Sequence, residues 1–321
     1  MDKNIPLIHK SAAMIQIDKL KPFVQNIWPM VNQANLPIYL DSTSAQSIPF
    51  TVFSRLLHSA FEQLPHHDFI AFIQQGADTY VKQFENLGSP KTLNHLSALL
   101  PIQRAQLKLP ELKGSGITTC LELTLEGIEP FSFVEELYAI CVAHHVMTQE
   151  YGGLLLPSKY HLLSQTREGL DKLNISTDTP QFMGQANTAI FYDLKDRSCE
   201  MGLEQRWENQ AQPFTTQVSS ALESYIGRQD LSLVEFSEVV EIPPRTIQRY
   251  LGKEASSYRK IKESLNMKFA KRVMSERNAS ISDISEHLGY ADTSQFIRAF
   301  KKSENITPLQ WRKKTCETHL K

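Results

Sequence analysis

Arg245, Gln248 and Arg249 recur at spacings of three and four residues. Thr293, Gln295 and Arg298 stand on a second stretch of the same character. On a helix the i, i+3 and i+4 spacing places the first set on one side, and Thr293, Gln295 and Arg298 can face outward from the second stretch. An exposed arginine can pair two-pronged with guanine O6 and N7, and a glutamine with adenine N6 and N7. Lys301 and Lys302 follow the second set, and Lys313 and Lys314 lie further on. Point charges of this kind suit phosphates, which set affinity and register without reading sequence. A solvated face on any helical hairpin carries similar residues. The discriminating feature is that two such sets occur in one segment of the chain.

Those side chains need helices to hold them. Pro244 suits a helix start, where its missing N–H costs nothing, and Ile247 and Leu251 would face inward behind the first set. Upstream, Ser232-x-x-Glu235 is a capping box, followed by the apolar positions Leu233, Phe236 and Val240. A long helix over 257–274 follows, with Tyr258, Ile261, Leu265 and Phe269 as its stripe. The second set repeats the design. Ser280 can cap a helix that buries Ile281, Ile284 and Leu288. Gly289 supplies a turn with positive φ, and Asp292 caps the next helix, in which Phe296 and Phe300 face inward. Two helix-turn-helix units joined by a long linker helix are therefore expected, the geometry that places a helix in a DNA major groove.

The residues carrying this pattern, ISDISEHLGYADTSQFIRAFKK at 281–302 with ITPLQWR at 306–312, resemble the signature of the AraC/XylS class of bacterial transcription regulators. PRTIQRYL at 244–251 with SYRKI at 257–261 is similar to the first unit of the subgroup whose sensor domain is not a cupin but arabinose-binding-domain-like, of the ornithine-utilisation-regulator type. The resemblance implies recognition helices in successive major-groove turns, with Arg245, Gln248, Arg249, Thr293, Gln295 and Arg298 facing bases. It also implies a role as activator, with RNA polymerase as a partner. The chain departs from the pattern at three places. Glu241 stands where the first turn usually has glycine, Asn266 where the linker helix often has arginine, and Asn305 where glycine usually precedes Thr-Pro. More weakly, Asn174–Phe182 and Asn187–Phe191 resemble the tail of that subgroup's sensor domain, a likeness covering about residues 18–194.

The net charge of −1 conceals an asymmetry. Residues 215–321 hold 18 Lys and Arg against 13 Asp and Glu, a net +5; residues 1–214 hold 16 against 22, a net −6. A basic back and an acidic front fit a DNA-binding part joined to a sensor. The front reads as α+β. Helices are expected at 18–34, 49–64, 68–84 and 133–147, a further helical stretch at 90–109 broken at Pro101, and a short helix at 167–173. Residues 117–125 alternate as a half-buried strand, and 160–163, 181–183 and 188–192 are further strands. The polar, aperiodic stretch 196–214 reads as a linker. The expected organisation is an effector-sensing or dimerising α+β domain over 1–195, the linker, and an all-α DNA-binding domain over 215–321.

Nothing in the sequence supports an enzyme. His66-His67 and His144-His145 are poor joint ligands, since neighbours on a helix point about 100° apart. Cys141 lies in an apolar helix and reads as core, and Cys120 alternates away from its strand's apolar face. There is no G-x-S-x-G elbow, phosphate-binding loop or dinucleotide fingerprint, so no cofactor and no metal are expected. No apolar run approaches the roughly 18 residues needed to span a bilayer, and no signal-peptide pattern opens the chain, so a cytoplasmic location is expected. The expected partners are double-stranded DNA, RNA polymerase, an unidentified small-molecule effector and a second copy of the chain. A redox- or ligand-responsive repressor and a non-specific architectural DNA-binding protein are the alternatives left open.

Overall fold

The apolar stripe behind Pro49 forms a helix, Phe50–Gln63, that buries Phe50 and Phe53 completely, and a second helix, His66–Gln83, packs beside it. The computed structural model describes residues 4–37, 40–41, 44–84, 92–113, 116–125, 133–151, 155–165, 179–194, 205–210, 212–227, 231–276 and 279–319. Contacts divide the chain into two units. The first comprises Met1–Ile38 with Gln46–Ala211; the second comprises Tyr39–Ala45 with Gln212–Lys321.

In order, the first unit runs β1 (Leu7–His9), α1 (Lys10–Leu20), α2 (Trp28–Gln33), β2 (Ser47–Pro49), α3 (Phe50–Gln63), α4 (His66–Gln83), α5 (Thr92–Leu99), β3 (Ile102–Lys113), β4 (Gly116–Leu125), α6 (Phe133–Tyr151), β5 (Leu156–His161), β6 (Gln181–Phe182), β7 (Thr188–Leu194) and β8 (Gln205–Glu208). Strands β1 and β2 pair with each other. The others form one sheet in the order β6-β5-β7-β4-β3-β8, antiparallel except for β5 with β6. Alternation explains its buried face. Leu107 pairs with Leu121, which pairs with Ile190, and all three are buried. This unit is mixed α and β.

Helix α6 packs against α3, α4 and α5 and is apolar almost all round. Two of its three acidic residues, Glu135 and Glu136, are buried and must be paired to be tolerated. Glu136 accepts the N–H groups of Leu163 and Ser164 at 2.7 and 3.2 Å, and the hydroxyls of Ser164 and Thr188 at 2.6 and 2.5 Å. Glu135 accepts the Ser54 hydroxyl and holds His58 Nε2 at 2.9 Å.

Three expectations for this unit are corrected. The helix expected over 18–34 is two helices, α1 and α2. His9 opens α1 by accepting the Ser11 N–H at 3.3 Å, and α1 ends at Leu20. Pro29 lies in the first turn of α2, where its missing N–H costs nothing. The helical reading of 90–109 holds only for α5; beyond Pro101 the chain is β3, because β4 and β8 hydrogen-bond to its two edges. The stretch read as linker contains β8, whose Trp207 stands opposite Ala105. The helix expected at 167–173 lies outside the described residues.

The described part of the second unit beyond residue 212 is helical: α7 (Phe214–Glu223), α8 (Leu233–Val240), α9 (Pro244–Lys253), α10 (Tyr258–Glu276), α11 (Ile281–His287), α12 (Thr293–Glu304) and α13 (Pro308–His319). Met267, Ala270 and Met274 of α10 share a buried core with Ile284 and Leu288, and with Phe296 and Phe300 of α12.

Candidate nucleic-acid interface

The first candidate face is built on α8 and α9. Ser232 and Glu235 form the capping box: the Ser232 N–H donates to Glu235 Oε2 at 2.5 Å and the Glu235 N–H to Ser232 Oγ at 3.3 Å. Helix α8 ends on Glu241 at φ 56° and ψ 32°, the left-handed region that disfavours a side chain. Pro243 and Pro244 then open α9. Ile247 and Leu251 are fully buried, which leaves Arg245, Gln248 and Arg249 exposed on the opposite side. The Arg249 guanidinium lies 5.3 Å from the Tyr250 ring centroid, and Lys253 Nζ lies 4.9 Å from it.

The second face is built on α11 and α12. Ser280 and Asp283 form another capping box, with bonds of 3.1 and 3.0 Å. Gly289 turns at φ 74°, and the Asp292 carboxylate accepts the Gln295 N–H at 2.7 Å to start α12. Phe296 and Phe300 have no solvent exposure, so Gln295 and Arg298 point outward, while Thr293 is half-buried. Lys301 and Lys302 are exposed in the last turn, which ends on Asn305 at φ 63°. Among the described residues Arg245, Arg249, Arg298, Lys301 and Lys302 are held in no ion pair. A cation that has no internal carboxylate partner loses no ion pair when it meets a phosphate or a base.

Other residues of the motif hold the fold. Arg312 donates to the Ala279 carbonyl at 2.5 Å, tying α13 to the start of α11. Trp311 meets Phe300 edge-on at 6.5 Å. Asn266 is buried on α10. Glu254 escaped the sequence reading. Its carboxylate accepts the N–H groups of Phe214 and Thr215, each at 2.8 Å, across forty residues of chain. The only hint in the sequence is an acidic residue just beyond a helix end.

The rings of His144 and His145 lie 6.2 Å apart. His144 is stacked on Tyr192, and burial drives its pKa down to about 4. Burial pushes the Cys141 thiol up to about 12. Among the described residues no group of His, Cys, Asp and Glu could hold a metal ion, and no helix is long and apolar enough to cross a membrane.

Residues 236–314, from α8 to α13, match the family described as "Helix-turn-helix domain". The second unit thus carries a helix-turn-helix DNA-binding domain. The chain is 26% identical over 192 residues to the HTH-type transcriptional activator CsvR of Escherichia coli, an alignment that covers 60% of this chain and 66% of that protein. It is 29% identical over 98 residues to the E. coli HTH-type transcriptional activator CfaD, covering 30% of this chain and 37% of the relative. A solved DNA-binding transcriptional dual regulator from E. coli K-12 aligns with 34% of this chain and 99% of its own, at 22% identity and a TM-score of 0.32. The chain therefore spans less than two thirds of these two relatives. The match supports the likeness to AraC/XylS-type regulators over this segment.

Proposed function

We propose that this protein is a sequence-specific DNA-binding regulator of transcription that acts as an activator. In this reading α8–α9 and α11–α12 are two helix-turn-helix units and α10 is their linker helix. Helices α9 and α12 enter successive major-groove turns. Arg245, Gln248, Arg249, Thr293, Gln295 and Arg298 face bases, while Lys301 and Lys302 meet phosphates. Residues 1–195 sense an unidentified small molecule or pair with a second copy, and so bias how the helices of residues 215–321 meet DNA. RNA polymerase is the further partner, and the cytoplasm the compartment.

The observation that carries the proposal is the exposure of Arg245, Gln248, Arg249, Gln295 and Arg298 on the two helices whose opposite faces are fully buried, within a segment that matches a helix-turn-helix domain. The activator relatives support the sign of regulation. The test is genome-wide mapping of bound DNA, with an Arg249→Ala/Arg298→Ala double variant as control. Discrete promoter peaks containing two short motifs about one helical turn apart, lost in the variant, are the expected result. Even coverage of all DNA by both proteins would instead indicate an architectural protein.

A further inference from the structure

The end of α9 is fastened to the start of α7 by more than packing. Phe214 is the first residue of α7, is buried, and lies 5.3 Å from the Tyr250 ring of α9. No side chain caps α7 from its own N-cap position, which is Pro213. Glu254, immediately after α9, performs that task instead. One carboxylate oxygen takes the Phe214 N–H and the other takes the Thr215 N–H. These bonds hold the Glu254 carboxyl below the usual carboxylate range, the Thr215 N–H contributing most. A helix leaves its first N–H groups without partners, and a carboxylate there gains from both hydrogen bonding and the helix dipole.

The attachment bears on α9 in particular. Tyr250 carries the Arg249 guanidinium on its ring, so the face that packs on Phe214 adjoins the face proposed to read bases. At its other end α9 begins at Pro244, after the left-handed turn at Glu241. The helix is thus held at its start by the backbone and at its finish by Glu254. The chain entering α7 comes from the sheet of the first unit, where the Asn209 N–H still donates to the Gln103 carbonyl at 2.9 Å.

We propose that Glu254 is a positioning residue for DNA recognition: by clamping the first two N–H groups of α7 it sets the orientation in which α9 presents Arg245, Gln248 and Arg249. This rests on the reading of α9 as a recognition helix. The clamp needs two acceptors at once. A glutamine of the same length offers one acceptor and turns an NH2 toward the second N–H, so the isosteric variant must fail as the truncated one does.

The test uses the full chain and DNA duplexes selected by that chain, with each base position substituted in turn. Glu254→Gln and Glu254→Ala are compared with Arg249→Ala and Arg298→Ala. Both Glu254 variants should lose about fivefold in affinity, the factor that a typical helix cap represents. The loss should fall on the duplex positions that Arg249→Ala identifies, with those identified by Arg298→Ala unchanged. Hydrogen exchange should quicken at the start of α7 and along α9 and remain unchanged in α11 and α12. A Glu254→Gln protein that discriminates and exchanges like the parent overturns the proposal, as does a loss spread evenly over every position. If Arg249→Ala itself shows no position-dependent loss while exchange in Glu254→Gln quickens as described, the clamp exists but α9 does not read bases; the underlying reading fails, and the role of Glu254 in recognition with it.

Discussion

The Arg249 guanidinium rests over the ring of the next residue, Tyr250, 5.3 Å from its centroid, with no carboxylate partner among the described residues. A cation–π contact at an exposed site is worth about 0.5–1 kcal/mol. A bidentate pairing with guanine is worth about 1–3 kcal/mol of discrimination, so the arginine can leave the ring for a base at a net gain.

Base-reading and phosphate-binding residues should separate in a binding assay. Arg298→Ala is expected to cost about 1–3 kcal/mol on a selected duplex and almost nothing on random DNA. Lys301→Ala should weaken binding to every sequence and reduce the slope of log affinity against log salt by about one. Equal losses for the arginine variant on both kinds of DNA would contradict base reading.

The turn after α8 stores strain that one substitution should relieve. Glu241 is held at φ 56°, where an L side chain costs about 1–2 kcal/mol. Glu241→Gly should therefore raise the stability of the second unit by about 1 kcal/mol in urea unfolding. No gain would mean that contacts of the Glu241 side chain offset the backbone strain.

Phe296 is the anchor behind the second face, with no solvent exposure and its ring 5.8 Å from Phe300. Phe296→Ala should destabilise by about 3–5 kcal/mol. The loss should appear in urea titration of the full chain, and exchange in α12 should rise before exchange in α8.

The first unit should be sensitive to alkaline pH through His58. Its hydrogen bond to the buried Glu135 carboxylate raises its pKa above the ordinary 6.5, against a smaller opposing effect of burial. Folding then favours the protonated ring. The stabilisation is complete below about pH 6.5 and is lost as pH rises through the raised folded value. His144 acts in the opposite sense. Its pKa falls to about 4 on burial, so stability declines as pH drops from 6.5 toward 4. Thermal melting of the full chain across pH 5–9 should show both declines, and His58→Ala should flatten only the alkaline one.

Much of the second unit was legible because its signals are local. Ser232, Ser280 and Asp292 cap helices through bonds to residues three positions ahead. Gly289 and Pro244 act on their own backbone, and the spacing of Phe296 and Phe300 is one helical turn. Such features depend on a few neighbouring residues, which the sequence displays directly. For the same reason Arg245, Gln248, Arg249, Gln295 and Arg298 could be placed on exposed faces before any coordinates, by elimination from the buried stripes.

The chain alone determined where most helices start and stop in the second unit and which of their faces turn outward. Tertiary structure decided whatever depends on a distant partner. Residues 102–113 are a strand because β4 and β8 meet them on both sides, and 205–208 leave the expected linker to become the sheet's edge. Glu254 caps a helix forty residues earlier, a relation invisible to any local pattern. Strand pairing and long-range capping satisfy backbone groups through contacts that exist only once the chain has closed on itself.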